Sequence, residues 1–235
     1  MAREKTASTR KVAFPPEPRK RRSRRHSPVE TRADLLRACA KCFAAVGYGR
    51  TQVSDVTQEA NVAVGTFYVH FTDKEEALLT VLNNHFQPLQ TKLRQNADAS
   101  DTAPAAQLRK ILAVLIDHSV TDPDGFQVWY RHGHDVSDNA DELIRTHMLM
   151  MERVVAEALA AAAPMDSKTR ALLAQGTVGM ALSLINRHLL TGEPSQQDVM
   201  RISVLSALGG AATSGGNPTP ADVKQLLQAV RALAA

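Results

Sequence analysis

Two groupings in the chain have residue types and spacings that can support metal or redox chemistry. Cys39 and Cys42 form a CxxC pair. Such a pair becomes a redox couple or half a zinc site when a second pair, or a strand-loop-helix setting, accompanies it. Neither is present, and both thiols fall on the apolar stripe of a helix, so packing is their expected role. His132-Gly133-His134 offers two imidazoles without a clear third ligand, so a structural or surface role is expected. The sequence contains no GxSxG elbow, no P-loop, no HExxH and no GxGxxG. Gly47-Tyr48-Gly49 lacks the third glycine of a dinucleotide loop. Neither an enzyme nor a cofactor is expected. A third grouping acts through charge. The run from Arg19 to Arg25 holds six basic residues around Ser23, a density suited to a polyanion.

The charge is unevenly distributed. Residues 1–32 hold 11 Lys/Arg and 3 acids, a net of +8. The remaining 17 Lys/Arg and 21 acids give −4, and the whole chain of 235 residues is +4. A basic arm therefore precedes a mildly acidic body. The length suffices for a core without disulfides or metals. Aromatics are only 4%, which disfavours an aromatic-rich β-sandwich. The longest aliphatic run, Ile111 to Ile116, is too short to span a bilayer. No signal-peptide segment follows the charged N-terminus, and two cysteines make no disulfide framework. The expected compartment is the cytoplasm, with no membrane partner.

The positioning elements all read as helices. Residues 1–26, rich in proline and charge, read as a disordered arm. Ser27-Pro28-Val29-Glu30 is a capping box with proline at the first helical position. The stripe Leu35, Cys39, Cys42, Phe43, Val46 follows, and Gly47 stops the helix. Short helices are predicted at Val53–Ala60 and Val64–His70. Asp73 to Glu76 opens a fourth helix that bends or ends near Pro88. Further helices are predicted from Pro104, over 139–163, 167–190 and 195–209, and from Thr219 after a linker at 214–218. Asp122-Pro123-Asp124-Gly125 reads as a turn before a short segment, 126–132. The domains expected are a helical unit over 27–82 and a larger one over 83–235.

Residues 51–71 carry the function. Val53, Val56 and Ala60 mark one face of a short helix. Asn61 stands where a tight turn needs a left-handed residue. Val62 and Phe67 can pack a second helix back on the first. This is the pattern of a helix-turn-helix, whose second helix enters the DNA major groove. An ordinary helical hairpin fits the periodicity equally well.

Further residues separate the two. Val46-Gly47-Tyr48, Thr51, Val56, Ala60, Val62, Gly65-Thr66-Phe67-Tyr68, His70-Phe71, Lys74 and Leu78 agree in order and spacing with one family. The stretch from Ser27 to Leu82 resembles the DNA-binding domain of the TetR family of bacterial transcriptional regulators. The resemblance implies that Thr51 caps the second helix near a phosphate, and that Thr66, Tyr68 and Lys74 touch the DNA backbone, with His70 close by. Gln52, Ser54, Ala63, Val64, Gly65 and Val69 occupy positions that can face bases. Asn61 replaces a common turn glycine, and Gln52 stands where Ser or Thr is frequent.

The second helix has no Arg, Asn or Gln to grip a purine in bidentate fashion. Val64 and Thr66 are expected to meet thymine methyl groups, with Gln52 or Ser54 supplying polar contacts. Arg21, Arg22, Arg24 and Arg25 can enter an adjacent minor groove, or form a solvated, non-specific tail.

Phe126, Trp129 and Tyr130 lie within five residues of one another, Met148 and Met151 cluster downstream, and Met180, Leu184 and His188 can face them. These suit an adaptable apolar pocket, and a plain core equally. The resemblance implies a small apolar or amphipathic ligand there. It also implies a homodimer through two late helices carrying Gly176, Gly179, Ala181 and Val204, Leu205, Leu208. The combined expectation is an all-α regulator, a repressor released from a near-palindromic duplex operator by a ligand. The alternatives are the same fold without an inducer and, more remotely, a helical enzyme or carrier.

Overall fold

The computed structural model describes residues 27–97, 103–133, 136–162, 164–213 and 224. The arm with Arg21, Arg22, Arg24 and Arg25, the linker at 214–218, the opening of the terminal helix and His134 lie outside the described residues. Among those described, the elements are α1 (Pro28–Val46), α2 (Val53–Glu59), α3 (Val64–His70), α4 (Lys74–Ala97), α5 (Pro104–Thr121), α6 (Pro123–His132), α7 (Asp138–Ala160), α8 (Ser167–Thr191) and α9 (Gln196–Thr213). The expected all-α class is the one observed. No described helix is long and apolar enough to cross a membrane.

α1 begins as its capping box dictates. Glu30 N–H donates to Ser27 Oγ at 3.3 Å, and Ser27 N–H donates to Glu30 Oε2 at 2.7 Å. It ends at Gly47, whose φ of 87° suits glycine. Leu35, Cys39, Phe43, Val56, Phe67, Phe71 and Leu78 are buried, and they join α1 to α4 around one core. This burial is the main force holding two seven-residue helices that would not persist alone.

Some boundaries differ from the expected ones. α4 does not end at Pro88 but continues to Ala97, crossing the expected domain boundary after Leu82. The Asp122–Gly125 segment is the first turn of α6 rather than a free turn. Pro123 takes the first helical position, and Asp122 Oδ1 accepts from Gly125 N–H at 3.1 Å. α6 packs more extensively on α1 than on any other helix, and α4 packs on α1, α5 and α7. These two helices therefore tie the N-terminal unit to the rest. Of the residues expected on the outer faces of α8 and α9, Ala181 and Val204 are instead fully buried within the chain. α8 and α9 pack on each other.

Candidate nucleic-acid interface

α2 and α3 meet at a tight corner. Val62 N–H donates to Thr57 O at 2.9 Å. Asn61 turns the chain with φ of 55°, the left-handed conformation asparagine tolerates. Phe67 is the only fully buried side chain of α3, and its ring lies 5.3 Å from that of Phe71. With the helix pinned by one side chain, its other faces are free. Val64 is 49% exposed, Tyr68 57% and Val69 78%. Ala63 and Gly65 are exposed too, and a Cβ built on Gly65 meets nothing within 4 Å. Thr66 and His70 are half-buried. Gln52 and Ser54 are exposed beside them at the start of α2, with Ser54 Oγ 3.4 Å from Gln52 Oε1.

Two of the expected contact residues turn their side chains inward, and the expected cap is corrected. Thr51 neither caps α2 nor faces solvent. It is 2% exposed, and its hydroxyl donates to Gly47 O at 2.9 Å and lies 3.3 Å from Cys42 O. Gln52 takes the N-cap position, its N–H donating to Asp55 Oδ2 at 2.8 Å. Thr51 thus stitches the corner after α1 to α2. Lys74 likewise turns inward. Its Nζ donates to Tyr48 O at 2.8 Å and Thr51 O at 2.9 Å, and sits 4.1 Å from the centroid of the Tyr48 ring. Burial pushes its ammonium below the usual lysine range. Both residues position the helix pair from behind.

Asp73 caps the start of α4, its Oδ1 accepting from Glu76 N–H at 2.8 Å. The cysteines pack as expected. Cys39 is fully buried and its thiol is pushed up by burial to about 12, with Cys42 adding to the effect.

The aromatic segment of α6 lies deep in the second unit. Phe126, Trp129 and Met151 are buried, whereas Tyr130, Met148, Met180, Leu184 and His188 are half-buried. Phe126 stacks on Tyr130 at 5.2 Å and meets Trp129 edge-on. Sequence reasoning missed two neighbours of this cluster, Phe86 on α4 and His147 on α7, whose rings stack at 4.2 Å. Trp129 Nε1 is buried with no hydrogen-bond partner among the described residues. His188 is committed, its Nδ1 lying 2.9 Å from Pro194 O.

On the outside of α8, Leu172, Gly176, Gly179, Ser183 and Leu190 form one exposed stripe at helical spacing. Leu172 and Leu190 are more than half exposed. Ile202 on α9 is exposed as well, and Leu205 and Leu208 are half-buried.

Residues 35–81 match the family model described as bacterial regulatory proteins, tetR family. An uncharacterised HTH-type transcriptional regulator of Bacillus subtilis is 28% identical over 99 residues, 42% of this chain and 34% of its own length. The chain spans 34% to 46% of the first curated relatives it matches. Among solved structures, a TetR-like regulator from Rhodococcus shares the fold with a TM-score of 0.67 at 15% identity, over 78% of this chain and 96% of that one. A SmeT-triclosan complex does so with a TM-score of 0.61 at 17% identity, over 81% and 98%.

Proposed function

We propose, from the premise that this chain is a member of the TetR family of bacterial regulatory proteins, that it is a sequence-specific DNA-binding transcriptional regulator. The observation that carries this reading is the solvent-facing side of α3. A seven-residue helix that leaves Val64, Tyr68 and Val69 exposed presents an apolar surface that its own fold does not use. Val64 and Thr66 meet thymine methyl groups in the major groove, Gln52 and Ser54 add polar base contacts, and Ala63, Gly65 and Val69 allow close approach. Tyr68 and His70 lie at the phosphates. Thr51 and Lys74 hold the reading helix in place. The arginines of the arm strengthen binding through the backbone and an adjacent minor groove.

The protein acts as a homodimer through α8 and α9. Their outer stripe of small and apolar residues supports this, since Gly176 and Gly179 permit close helix approach. Two-fold symmetry then sets the reading helices roughly 34–36 Å apart, on a near-palindromic operator. A small apolar or amphipathic ligand, held near Phe126, Trp129, Met148 and Met151, releases the repressor by favouring the conformer with unsuitable spacing. The unpartnered Trp129 N–H supplies one donor for such a ligand. A fold neighbour, SmeT, is described in complex with triclosan. A second reading, regulation without an inducer, is favoured by the complete burial of Phe126, Trp129 and Met151.

Selection from a random duplex library by the purified full chain tests the DNA reading. A near-palindromic motif should be enriched, and uracil in place of its thymines should weaken binding at one or two positions. Failure to enrich any motif would overturn the reading.

A further inference from the structure

A second cluster lies where α4, α5 and the start of α6 converge, beside the aromatic segment, the His85 ring lying 6.3 Å from that of Trp129. His85 on α4 and His118 on α5 are buried, and Asp122 caps α6. Their rings and carboxylate are in direct contact. His85 Nδ1 lies 2.7 Å from Asp122 Oδ2, and the two imidazole centroids are 4.6 Å apart. One nitrogen of each histidine and one oxygen of Asp122 lie within 4.8 Å of one another. We propose that His85, His118 and Asp122 form a binding site for a divalent transition metal of the zinc class.

The donor set suits such an ion. Imidazole and carboxylate together select zinc, cobalt or nickel over the hard cations, which prefer all-oxygen shells. His118 is already oriented as a ligand. Its Nε2 lies 2.8 Å from the carbonyl oxygen of His85. A carbonyl only accepts, so Nε2 carries the proton and Nδ1 is left with a free lone pair. His85 Nε2 is buried with no hydrogen-bond partner among the described residues. That nitrogen lies on the far edge of the ring from Asp122, so Nδ1, 2.7 Å from Asp122 Oδ2, is the nitrogen His85 would offer to an ion shared with that carboxylate. Metal-ligand distances of about 2.0–2.2 Å require the three donors to close in by roughly 1 Å, within reach of side-chain rotation.

The site also has an entrance. Asp122 lines an open cleft of about 460 Å³ between α1, α2 and the start of α6. That cleft carries Asp34, Glu59, Asp122 and Asp124 against Arg37 and Lys41. Four acids against two bases leave −2, which attracts a cation. An ion here joins α4, α5 and α6, the first and last of which also pack on α1.

The test uses the untagged full chain, stripped by dialysis against a chelator, with cobalt(II) alone as the spectroscopic metal. We expect visible d–d bands that saturate near one cobalt per chain, disappear on adding one equivalent of zinc, and accompany a rise in melting temperature. His85→Asn and Asp122→Asn should each weaken binding by more than about tenfold. Asparagine retains an α6 cap, so Asp122→Asn separates loss of the ligand from loss of the helix. Circular dichroism of each variant checks the fold. Absence of the bands, or unchanged affinity in both folded variants, would overturn the site. None of these readouts depends on DNA binding, so the regulator reading stands or falls separately.

Discussion

Replacing Gly65 by alanine separates the fold's needs from its partner's. Gly65 occupies the first turn of α3, where glycine disfavours the helix by about 0.5–1 kcal/mol relative to alanine. Packing does not explain the residue, because an added Cβ meets nothing within 4 Å. Among the described residues the positive φ values belong to Asn61, Gly47 and Gly192, not to Gly65. Gly65→Ala should therefore stabilise the free protein by about 0.5–1 kcal/mol, raising Tm by roughly 1–4 °C for a chain of this size. If α3 enters a groove at this end, the methyl group meets the duplex instead. Forcing a methyl into a close-packed contact costs about 1–3 kcal/mol, or about five- to 150-fold in Kd. Thermal unfolding and fluorescence anisotropy on the selected duplex give the two numbers. Opposite signs, stability up and affinity down, are expected. An unchanged Kd in the stabilised variant would refute the placement of Gly65 against DNA. A lower Tm would refute the reading of its surroundings as open.

Three further outcomes are expected. Lys74→Met removes two charged hydrogen bonds to Tyr48 O and Thr51 O, and should lower stability by about 1–2 kcal/mol given its partial exposure. The salt dependence of DNA binding should hold its slope, whereas a lost phosphate contact would reduce it by about 0.9. Cys39, with its thiol at about 12 rather than the ordinary 9.0, should resist alkylation in the native protein at mildly alkaline pH and react fully in denaturant. Mass spectrometry after timed labelling reads this, and native labelling of Cys39 as fast as in denaturant would contradict its burial. Glu76 is held below the ordinary carboxylate value by accepting from the Thr72 amide and then its hydroxyl. A depressed carboxyl stabilises above its unfolded value and loses that contribution as pH falls through the folded one. Glu76→Gln should thus flatten the decline of the urea midpoint below about pH 5, and an unchanged decline would argue against the contact.

Much of the N-terminal unit was legible because its signals are local. The Ser27 capping box, the Asn61 corner, the bounds of α3 and the Asp73 cap each rest on residues within four positions of one another. The Asp122-Pro123-Asp124-Gly125 segment misled for a physical reason. Aspartate before proline opens a turn or caps a helix with equal local ease, and only the docking of α6 on α1 decides between them. Of a bend or an end at Pro88, the end does not occur, since a helix held by neighbours on several sides tolerates a proline that an isolated one would not.

Site residues were less legible where their partners are distant. Thr51 and Lys74 were assigned outward by resemblance, yet their hydrogen-bond partners are carbonyls up to 9 and 26 residues away. His85, His118 and Asp122 are separated by 33 and 37 residues in their contacts, and no spacing rule links them. Phe86 and His147 joined the aromatic cluster for the same reason.

The sequence by itself determined the helices, the order in which they occur and the residues that turn corners, because capping, periodicity and left-handed turns act within a few residues. It also determined the separation of a basic arm from an acidic body, which is a matter of counting. Only the tertiary structure decided which side chains face out. Burying Phe67 turned Val64, Tyr68 and Val69 to solvent, while the crossing of α1, α2 and α4 drew Thr51 and Lys74 inward. Side-chain direction is set by how helices pack, and packing energy depends on contacts the linear order does not contain.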